Sequence, residues 1–115
     1  MTNLQAGDAH LQYNPQTQNI TISGVMRLAN MQEYEVVTQY LNECLATAAD
    51  NLTLDLSKLT FLNSSGITTL SLFVLQCKKN TKPTLHIIGS TTIAWQEKSL
   101  PNFNKLWNEA AISFQ

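Results

Sequence analysis

The sequence predicts an α/β domain in which a mixed β-sheet of about five strands is covered by three or more α-helices. The prediction rests on an alternating hairpin near the N-terminus, on stretches with apolar residues at helical spacing, and on short apolar runs between them. The expected order is strand, strand, helix, strand, helix, strand, helix, strand, with right-handed crossovers between the parallel strands. Because 115 residues are enough for one core but not two, we expect a single domain over residues 1–115.

The first two strands are predicted as a hairpin. Segments 10–13 and 20–24 alternate between apolar and polar residues, and segment 14–18 between them is rich in turn residues. The first helix is expected to follow Asn30, because Asn30 and Glu33 have the spacing of a capping box. Its apolar residues then recur at spacings of three and four, at Tyr34, Val37, Leu41, Cys44, Leu45 and Ala48.

The remaining strands are short. Segment 52–56 alternates as a strand, segment 84–89 is apolar on both faces apart from His86, and segment 111–114 fits a last short strand. The pattern of 84–89 is typical of a parallel strand that is buried on both faces.

Two further helices connect these strands. The second is expected to begin at Asn63 and to cross over to segment 84–89. The third is expected to begin at the hydroxyls of Ser90–Thr92 and to stop at Pro101, because proline lacks the amide donor that a helix interior requires.

Composition excludes several classes of protein. Hydrophobic residues make up 43% and charged residues 13%, which excludes a disordered chain. A formal net charge of −1 without a basic run argues against direct binding of nucleic acid. No signal peptide and no long apolar run are present, so we expect a cytoplasmic protein without membrane insertion. Cys44 and Cys77 lie at apolar helical positions and are expected to be reduced and buried.

The segment LNSSGIT, residues 62–68, places two hydroxyls and a glycine before the second helix. Asn63 can cap this helix, and Ser64 and Ser65 then lie in its first turn, where the helix dipole tolerates a phosphate. A phosphorylated serine there would add about −1.5 to −2 charges. Asn, Ser and Gly before an apolar run are also ordinary capping and turn residues, so both interpretations stay open at this point.

The second helix has two leucines that its core face does not explain. At 100° per residue, one arc of roughly 120° contains the expected core residues Ile67, Leu70, Phe73, Val74 and Cys77. Leu72 and Leu75 fall outside this arc, beside Thr68 and Lys79. Either a neighbouring helix covers them, or these four residues belong to a docking face for a partner protein.

The segment LTLDLSKLTFLNSSGITTLSLFVLQCKKNTKPTLHIIGS, residues 52–90, resembles the central signature of STAS domains, the family of bacterial anti-sigma-factor antagonists. The features that match are an apolar strand with Asp55, the [Asp/Asn]-Ser-Ser-Gly turn, a long apolar helix and a strand that ends at Gly89. Upstream, Ile22-Ser23-Gly24 before a capped helix agrees with the same family. The resemblance therefore implies a STAS-type fold.

The resemblance also implies a partner switch. The first serine of the turn, here Ser64, would be phosphorylated by an anti-sigma-factor-like serine kinase and dephosphorylated by a metal-dependent serine phosphatase, with Asp55, Asn63, Ser65 and Gly66 around it. The unphosphorylated protein would bind its kinase partner through the turn and the following helix, which frees a sigma factor or another client, so regulation of transcription is one expected output. Most family members that switch in this way have Asp where this chain has Asn63.

Two other functions compete with this interpretation. An enzyme that uses a serine nucleophile needs a base, and the chain offers only His10 and His86 and no Gly-x-Ser-x-Gly elbow, so we expect no enzymatic activity. The Cys and His residues show no metal-site spacing and no phosphate loop is present, so no metal and no cofactor are expected. The stronger rival is a STAS module that acts as a constitutive scaffold or as a subunit of a larger complex, such as a lipid transporter, without phosphorylation of Ser64.

Overall fold

The structure of the chain is a computed structural model that describes residues 3–80 and 83–115. Residues 1, 2, 81 and 82 of the expected domain lie outside the described residues. The elements in chain order are β1 (Asn3–Ala6), β2 (Asp8–Asn14), β3 (Asn19–Met26), α1 (Glu35–Thr47), β4 (Asn51–Leu62), α2 (Ser64–Lys79), β5 (Thr84–Gly89), α3 (Ala94–Leu106) and β6 (Ala111–Phe114). The predicted α/β class is confirmed, and the described part of the chain contains one strand more than expected.

The strands form one mixed sheet in the order β1-β2-β3-β4-β5-β6. β1, β2 and β3 pair antiparallel, whereas β3, β4, β5 and β6 pair parallel, each joined to the next by one helix. Right-handed crossovers that always advance in the same direction place all their helices on the same face of a sheet. The buried residues agree, because each strand from β2 to β5 buries the side chains of one face only, and these alternate strictly in β2 and β5.

The other face of the sheet is open, which corrects the prediction for segment 84–89. Leu85, Ile87 and Gly89 of β5 are buried under the helices, but His86 and Ile88 are only half-buried on the open face. The His86 imidazole Nε2 lies 2.8 Å from the hydroxyl of Ser113 on the neighbouring β6. An apolar pattern on both faces therefore did not mean that both faces are covered.

The strand that sequence reasoning missed is β1. It has only four residues, and its apolar side chains are Leu4 and Ala6. Leu4 pairs with Leu11 of β2, and its half-buried side chain packs against the core. The connection to β2 is Gly7, whose φ of 61° is the left-handed conformation that glycine adopts without strain. Pairing with β2 stabilises a segment that is too short and too polar to be recognised from its own sequence.

β4 has 12 residues where the sequence predicts a strand of five, and it contains two β-bulges. Thr21 of β3 pairs with Asp55 but Ser23 pairs with Lys58, so β4 gains one residue there, and it gains a second before Phe61. Each bulge adds one residue between consecutive inward-facing positions. The buried leucines of this part of β4 are accordingly three residues apart, at Leu56, Leu59 and Leu62. The two bulges therefore break the strict alternation of this part of β4. The sequence pattern did not predict it as strand for that reason.

α3 supplies the hydrogen bonds that the bulged part of β4 lacks. The fully buried Gln96 donates its amide to the carbonyls of Leu56 at 2.6 Å and Leu59 at 3.1 Å, and the Trp95 indole donates to Leu59 at 3.0 Å. The side-chain carbonyl of Gln96 accepts from the Ser90 amide at 2.6 Å. A buried backbone carbonyl without a partner is costly, so these two side chains stabilise a stretch of β4 that extends beyond its pairing with β5.

The first helix begins later than predicted. α1 begins at Glu35, and the predicted capping box forms only in part: Asn30 Oδ1 accepts from the Glu33 amide at 3.0 Å, but Glu33 Oε1 accepts from the Ala29 amide at 3.0 Å rather than from that of Asn30. The pair closes a turn over residues 31–34 that precedes the helix. This turn directs Tyr34 into the core, where it is fully buried.

The predicted limits of the third helix were both wrong. α3 begins at Ala94 without a side-chain cap, because the hydroxyl of Ser90 instead accepts a hydrogen bond from the Thr92 amide within the preceding turn. α3 also continues through Pro101 to Leu106. A proline inside a helix costs about 3 kcal/mol, but burial of a phenylalanine side chain returns about 1.5–3 kcal/mol, and Phe103 beyond the proline is buried.

No helix within the described ranges is long and apolar enough to cross a membrane.

Candidate functional site

The N-terminus of α2 is held by Asn63, the residue that the sequence predicts as its cap. Asn63 Oδ1 accepts a hydrogen bond from the Gly66 amide at 2.9 Å, and the Asn63 carbonyl accepts from the Ile67 amide at 2.9 Å. The Asn63 side-chain amide donates to the Leu28 carbonyl at 2.9 Å, and the backbone amide donates to the Met26 carbonyl at 3.3 Å. Asn63 therefore caps the helix and also ties its first turn to the end of β3.

The hydroxyl of Tyr34 lies at the centre of this junction. Its proton has two acceptors, Asn63 Oδ1 at 2.6 Å and the Met26 carbonyl at 3.2 Å, and its oxygen accepts from the Leu28 amide at 3.4 Å. Burial raises the pKa of this hydroxyl, and the hydrogen bond from Leu28 opposes that effect in part. The hydroxyl is therefore protonated at neutral pH and donates to the cap residue.

These contacts give a structural reason for asparagine at position 63. The bond to the Leu28 carbonyl requires a donor, and only the amide of an asparagine supplies one beside the acceptor that Gly66 and Tyr34 use. A carboxylate there would place two acceptor oxygens against each other.

The three residues after Asn63 have different environments. Ser64 is exposed, and within residues 3–80 and 83–115 its hydroxyl has no hydrogen-bond partner. Ser65 is half-buried, and Gly66 is buried. A Cβ atom on Gly66 would lie 2.7 Å from the hydroxyl of Tyr34 and would overlap the side chain of Leu62. Gly66 is thus required for close packing inside the helix, whereas Ser64 offers its hydroxyl to solvent.

The residues that the sequence assigns to a docking face do lie along one side of α2. Measured from Ser64, the directions of Thr68, Leu72, Leu75 and Lys79 fall within roughly 80° around the helix axis. Leu72 is 49% exposed, Thr68 and Lys79 are exposed, and Leu75 is half-buried. A hydroxyl at the helix start and an apolar side chain two turns later therefore share one surface.

The α1–α2 groove, which we define as the depression between these two helices, adjoins this surface. Its volume is about 520 Å³, and it is lined by Thr38, Asn42, Leu72, Phe73, Leu75, Gln76, Lys78 and Lys79. A wider depression of about 890 Å³ shares Thr38, Asn42 and Leu72 with it and extends the apolar surface to Met31, which is 41% exposed. The exposed leucine thus lies at the centre of one continuous groove.

The contribution of α1 to the groove was not predicted. Thr38 and Asn42 occupy the polar side of that helix, and such residues normally face solvent. Glu35 lies towards one end of the groove, and Lys78 and Lys79 lie towards the other. Because α1 and α2 both return antiparallel to parallel strands, their N-termini share one edge of the sheet, and Ser64 lies at the Glu35 end.

A second exposed aromatic feature lies next to the start of α2. Phe61 is 41% exposed, and the Arg27 guanidinium lies 5.6 Å from the centre of its ring, which is a cation–π geometry. Arg27 follows the last residue of β3, and Phe61 precedes the last residue of β4. No motif in the sequence links these two residues, because their contact depends on the register of the two strands.

Asp55 does not belong to this site. Its side chain accepts hydrogen bonds from the amide of Ser57 at 2.9 Å and from the hydroxyl of Ser57 at 2.7 Å, at the first bulge of β4. It lies on the open face of the sheet, and the seven residues of strand to Leu62 span roughly 20 Å. The structure therefore separates Asp55 from Ser64 and assigns it to the support of a bulge.

The other reactive side chains form no site. Cys44 and Cys77 are free thiols in the core, and burial raises their pKa values to about 11 and about 12. Thiols with such pKa values are unreactive at neutral pH. Among the described residues, no three His, Cys, Asp or Glu side chains lie close enough to hold a metal ion.

Three solved chains from Pseudomonas aeruginosa have the same fold as this chain. One belongs to the crystal structure of the diguanylate cyclase SiaD in complex with its activator SiaC; it is 16% identical, covers 100% of both chains and has a TM-score of 0.72. Apo-SiaC is 18% identical over 100% of this chain and 99% of that chain, with a TM-score of 0.72. A further SiaC structure is 18% identical over 99% and 96%, with a TM-score of 0.64. No family model and no curated protein sequence match the chain.

Proposed function

We propose that this chain is a non-enzymatic, cytoplasmic signalling protein that binds a protein partner through the α1–α2 groove and releases it when Ser64 is phosphorylated. The proposal rests on the observation that Ser64 and Leu72 lie on the same side of α2. The exposed hydroxyl of Ser64 and the exposed side chain of Leu72 are eight residues apart on one side of the helix, about 12 Å along its axis. A partner that covers Leu72 would also cover Ser64.

The energetics of such a switch follow from burial of charge. Phosphorylation adds about −1.5 to −2 charges at neutral pH. Covering this charge with a partner that offers no cation costs several kcal/mol, and each 1.4 kcal/mol changes a dissociation constant tenfold. Glu35 at the same end of the groove adds to the negative potential there. We expect phosphorylation of Ser64 to weaken binding by at least a hundredfold.

The partners follow from the resemblance and from the structural neighbours. The STAS resemblance implies a serine kinase related to anti-sigma factors and a metal-dependent serine phosphatase. In P. aeruginosa, SiaC is the activator of a diguanylate cyclase. We therefore propose that the client of this chain is an effector enzyme of the cyclase type rather than a sigma factor.

The docking surface is tested by purification of tagged protein from its native cells together with its bound partners. Leu72→Asp places a charge at the centre of the groove and should abolish capture of the kinase and of the cyclase. The matched control is Val36→Asp, since Val36 is 45% exposed but lies on a different side of α1. If a folded Leu72→Asp protein retains every partner that wild type captures, the groove is not the docking surface.

The switch is tested by phosphate-affinity electrophoresis of the protein from native cells. Wild type and Ser65→Ala should each give a retarded band that Ser64→Ala lacks, and the phosphatase should remove that band. A single unretarded species under all growth conditions, with equal partner binding by Ser64→Ala and Ser64→Asp, would instead favour the constitutive scaffold or complex subunit.

A further inference from the structure

Arg27, the single arginine of the chain, lies close in the fold to the start of α2. Asn63 donates one hydrogen bond to the Met26 carbonyl at 3.3 Å and another to the Leu28 carbonyl at 2.9 Å. These two bonds bracket Arg27 and fix its backbone directly beside Asn63. With strands about 4.8 Å apart and consecutive Cα atoms 3.8 Å apart, the Cα of Ser64 lies within about 9 Å of the Cα of Arg27.

The three described lysines of α2 and β4 are farther away. Lys78 and Lys79 lie at the opposite end of α2, about 21 Å along the helix axis from Ser64. Lys58 lies five residues before Asn63 in β4, roughly 16 Å along the strand.

Arg27 can exchange its contact with the ring of Phe61 for another one. The side chain is exposed, and its guanidinium lies 5.6 Å from the centre of the Phe61 ring. An exposed cation–π contact is worth about 0.5–1 kcal/mol, whereas a guanidinium can form two parallel hydrogen bonds with a phosphate. A phosphate on Ser64 therefore offers the side chain two directed, charge-assisted hydrogen bonds in place of one weak ring contact.

We infer that Arg27 is the receptor for the phosphate on Ser64 and that it leaves the ring of Phe61 when the phosphate is added. This inference rests on the proposed phosphorylation of Ser64. The exchange pairs the new charge with a residue at the end of β3, and it also uncovers an aromatic side chain that is already 41% exposed. Phosphorylation would thus change two surfaces at once: it blocks the Ser64 end of the groove, and it exposes Phe61.

The test uses full-length protein with phosphoserine inserted at position 64 during translation, so that no kinase is required. Because the chain has one arginine, its ¹H–¹⁵N spectrum contains one Nε–Hε signal. We expect this signal to move when phosphoserine replaces Ser64. We also expect the second pKa of the phosphate, followed by ³¹P NMR, to rise by about 0.5 unit or more in Arg27→Gln, to rise less in Arg27→Lys, and to stay unchanged in the control Lys58→Gln.

An unmoved Arg27 signal, or equal phosphate pKa values in wild type, Arg27→Gln and Lys58→Gln, would overturn the inference. The result is independent of whether native cells phosphorylate Ser64. If the electrophoresis shows no phosphorylated protein although Arg27 binds the inserted phosphate, the proposed function fails and the receptor geometry stands. If phosphorylation occurs and Arg27 does not respond, only the role of Arg27 is lost.

Discussion

Replacement of Asn63 by alanine should destabilise the protein far more than the loss of an ordinary helix cap. The change removes the cap bond to Gly66, the nearer of the two acceptors of the buried Tyr34 hydroxyl, and the donor to the Leu28 carbonyl. A cap is worth about 1 kcal/mol, and each of the other two bonds is worth about 1 kcal/mol. We expect the free energy of unfolding to fall by about 3 kcal/mol.

The assay is urea denaturation, in which the midpoint should fall while the slope stays constant. Since unfolding entropy is about 2.1 cal/mol/K per residue, about 240 cal/mol/K for 115 residues, the melting temperature should fall by about 12 °C. A double-mutant cycle with Tyr34→Phe should give a coupling energy of about 1 kcal/mol, because the two side chains share one hydrogen bond.

The matched control is Asn80→Ala at the other end of α2. Asn80 is exposed, and its side chain makes one hydrogen bond, to the Gln76 carbonyl at 2.9 Å. Its replacement should cost less than about 0.5 kcal/mol. If Asn63→Ala costs no more than Asn80→Ala, the junction between α2 and β3 is not held by Asn63, and the reasoning is refuted.

Three further predictions concern the packing and titration of the core. Gly66→Ala should lower the free energy of unfolding by about 1–3 kcal/mol, because the new methyl group overlaps the side chain of Leu62. A variant with the same melting temperature as wild type would show that α2 can shift to accommodate the methyl group. Gln96→Leu should cost at least about 2 kcal/mol in urea denaturation, because it removes the side-chain donor of the Leu56 carbonyl and the acceptor of the Ser90 amide, and an unchanged midpoint would contradict this role. The pKa values of Cys44 and Cys77, raised to about 11 and about 12 from an ordinary 9.0, mean that the unfolded chain releases these protons first. Stability should therefore fall by about 1.4 kcal/mol per pH unit for each thiol above pH 9, and a Cys44→Ala, Cys77→Ala variant should lose this slope between pH 9 and pH 10; above pH 10.0 the buried Tyr34 hydroxyl, whose pKa is also raised, adds a slope of its own.

The parts of the fold that were predicted correctly are those in which local pattern and final environment agree. The hairpin of β2 and β3 and the cap at Asn63 follow from alternation and from capping chemistry, which act over a few residues. The limit set at Pro101 was wrong because the local penalty of the proline is offset in large part by the burial of Phe103, which depends on the tertiary packing of α3. β1 was missed because its stability comes from its partner strand.

The candidate site divides in the same way. Helical periodicity identified the exposed side of α2 and placed Ser64 on the same side as Leu72, because a helix fixes the direction of every side chain along it. Periodicity could not reveal that Thr38 and Asn42 of α1 complete the groove, since the packing of one helix beside another is decided by the sheet beneath them. The family resemblance, rather than periodicity, placed Asp55 around Ser64, whereas the length of β4 and the open face of the sheet keep it away from the motif.

The sequence by itself thus determined the class of fold, the start of α2 and the hydroxyl that this helix presents, because each depends on interactions between residues close together in the chain. The tertiary structure alone decided what surrounds that hydroxyl: the hold of Asn63 and Tyr34 on the end of β3, the contact of Arg27 with Phe61, and the groove between α1 and α2. Apart from the bonds of Tyr34 to Met26 and Leu28, these features depend on strand register and helix packing, which join segments about 30 residues or more apart. Contacts over such separations leave no periodic pattern in either segment.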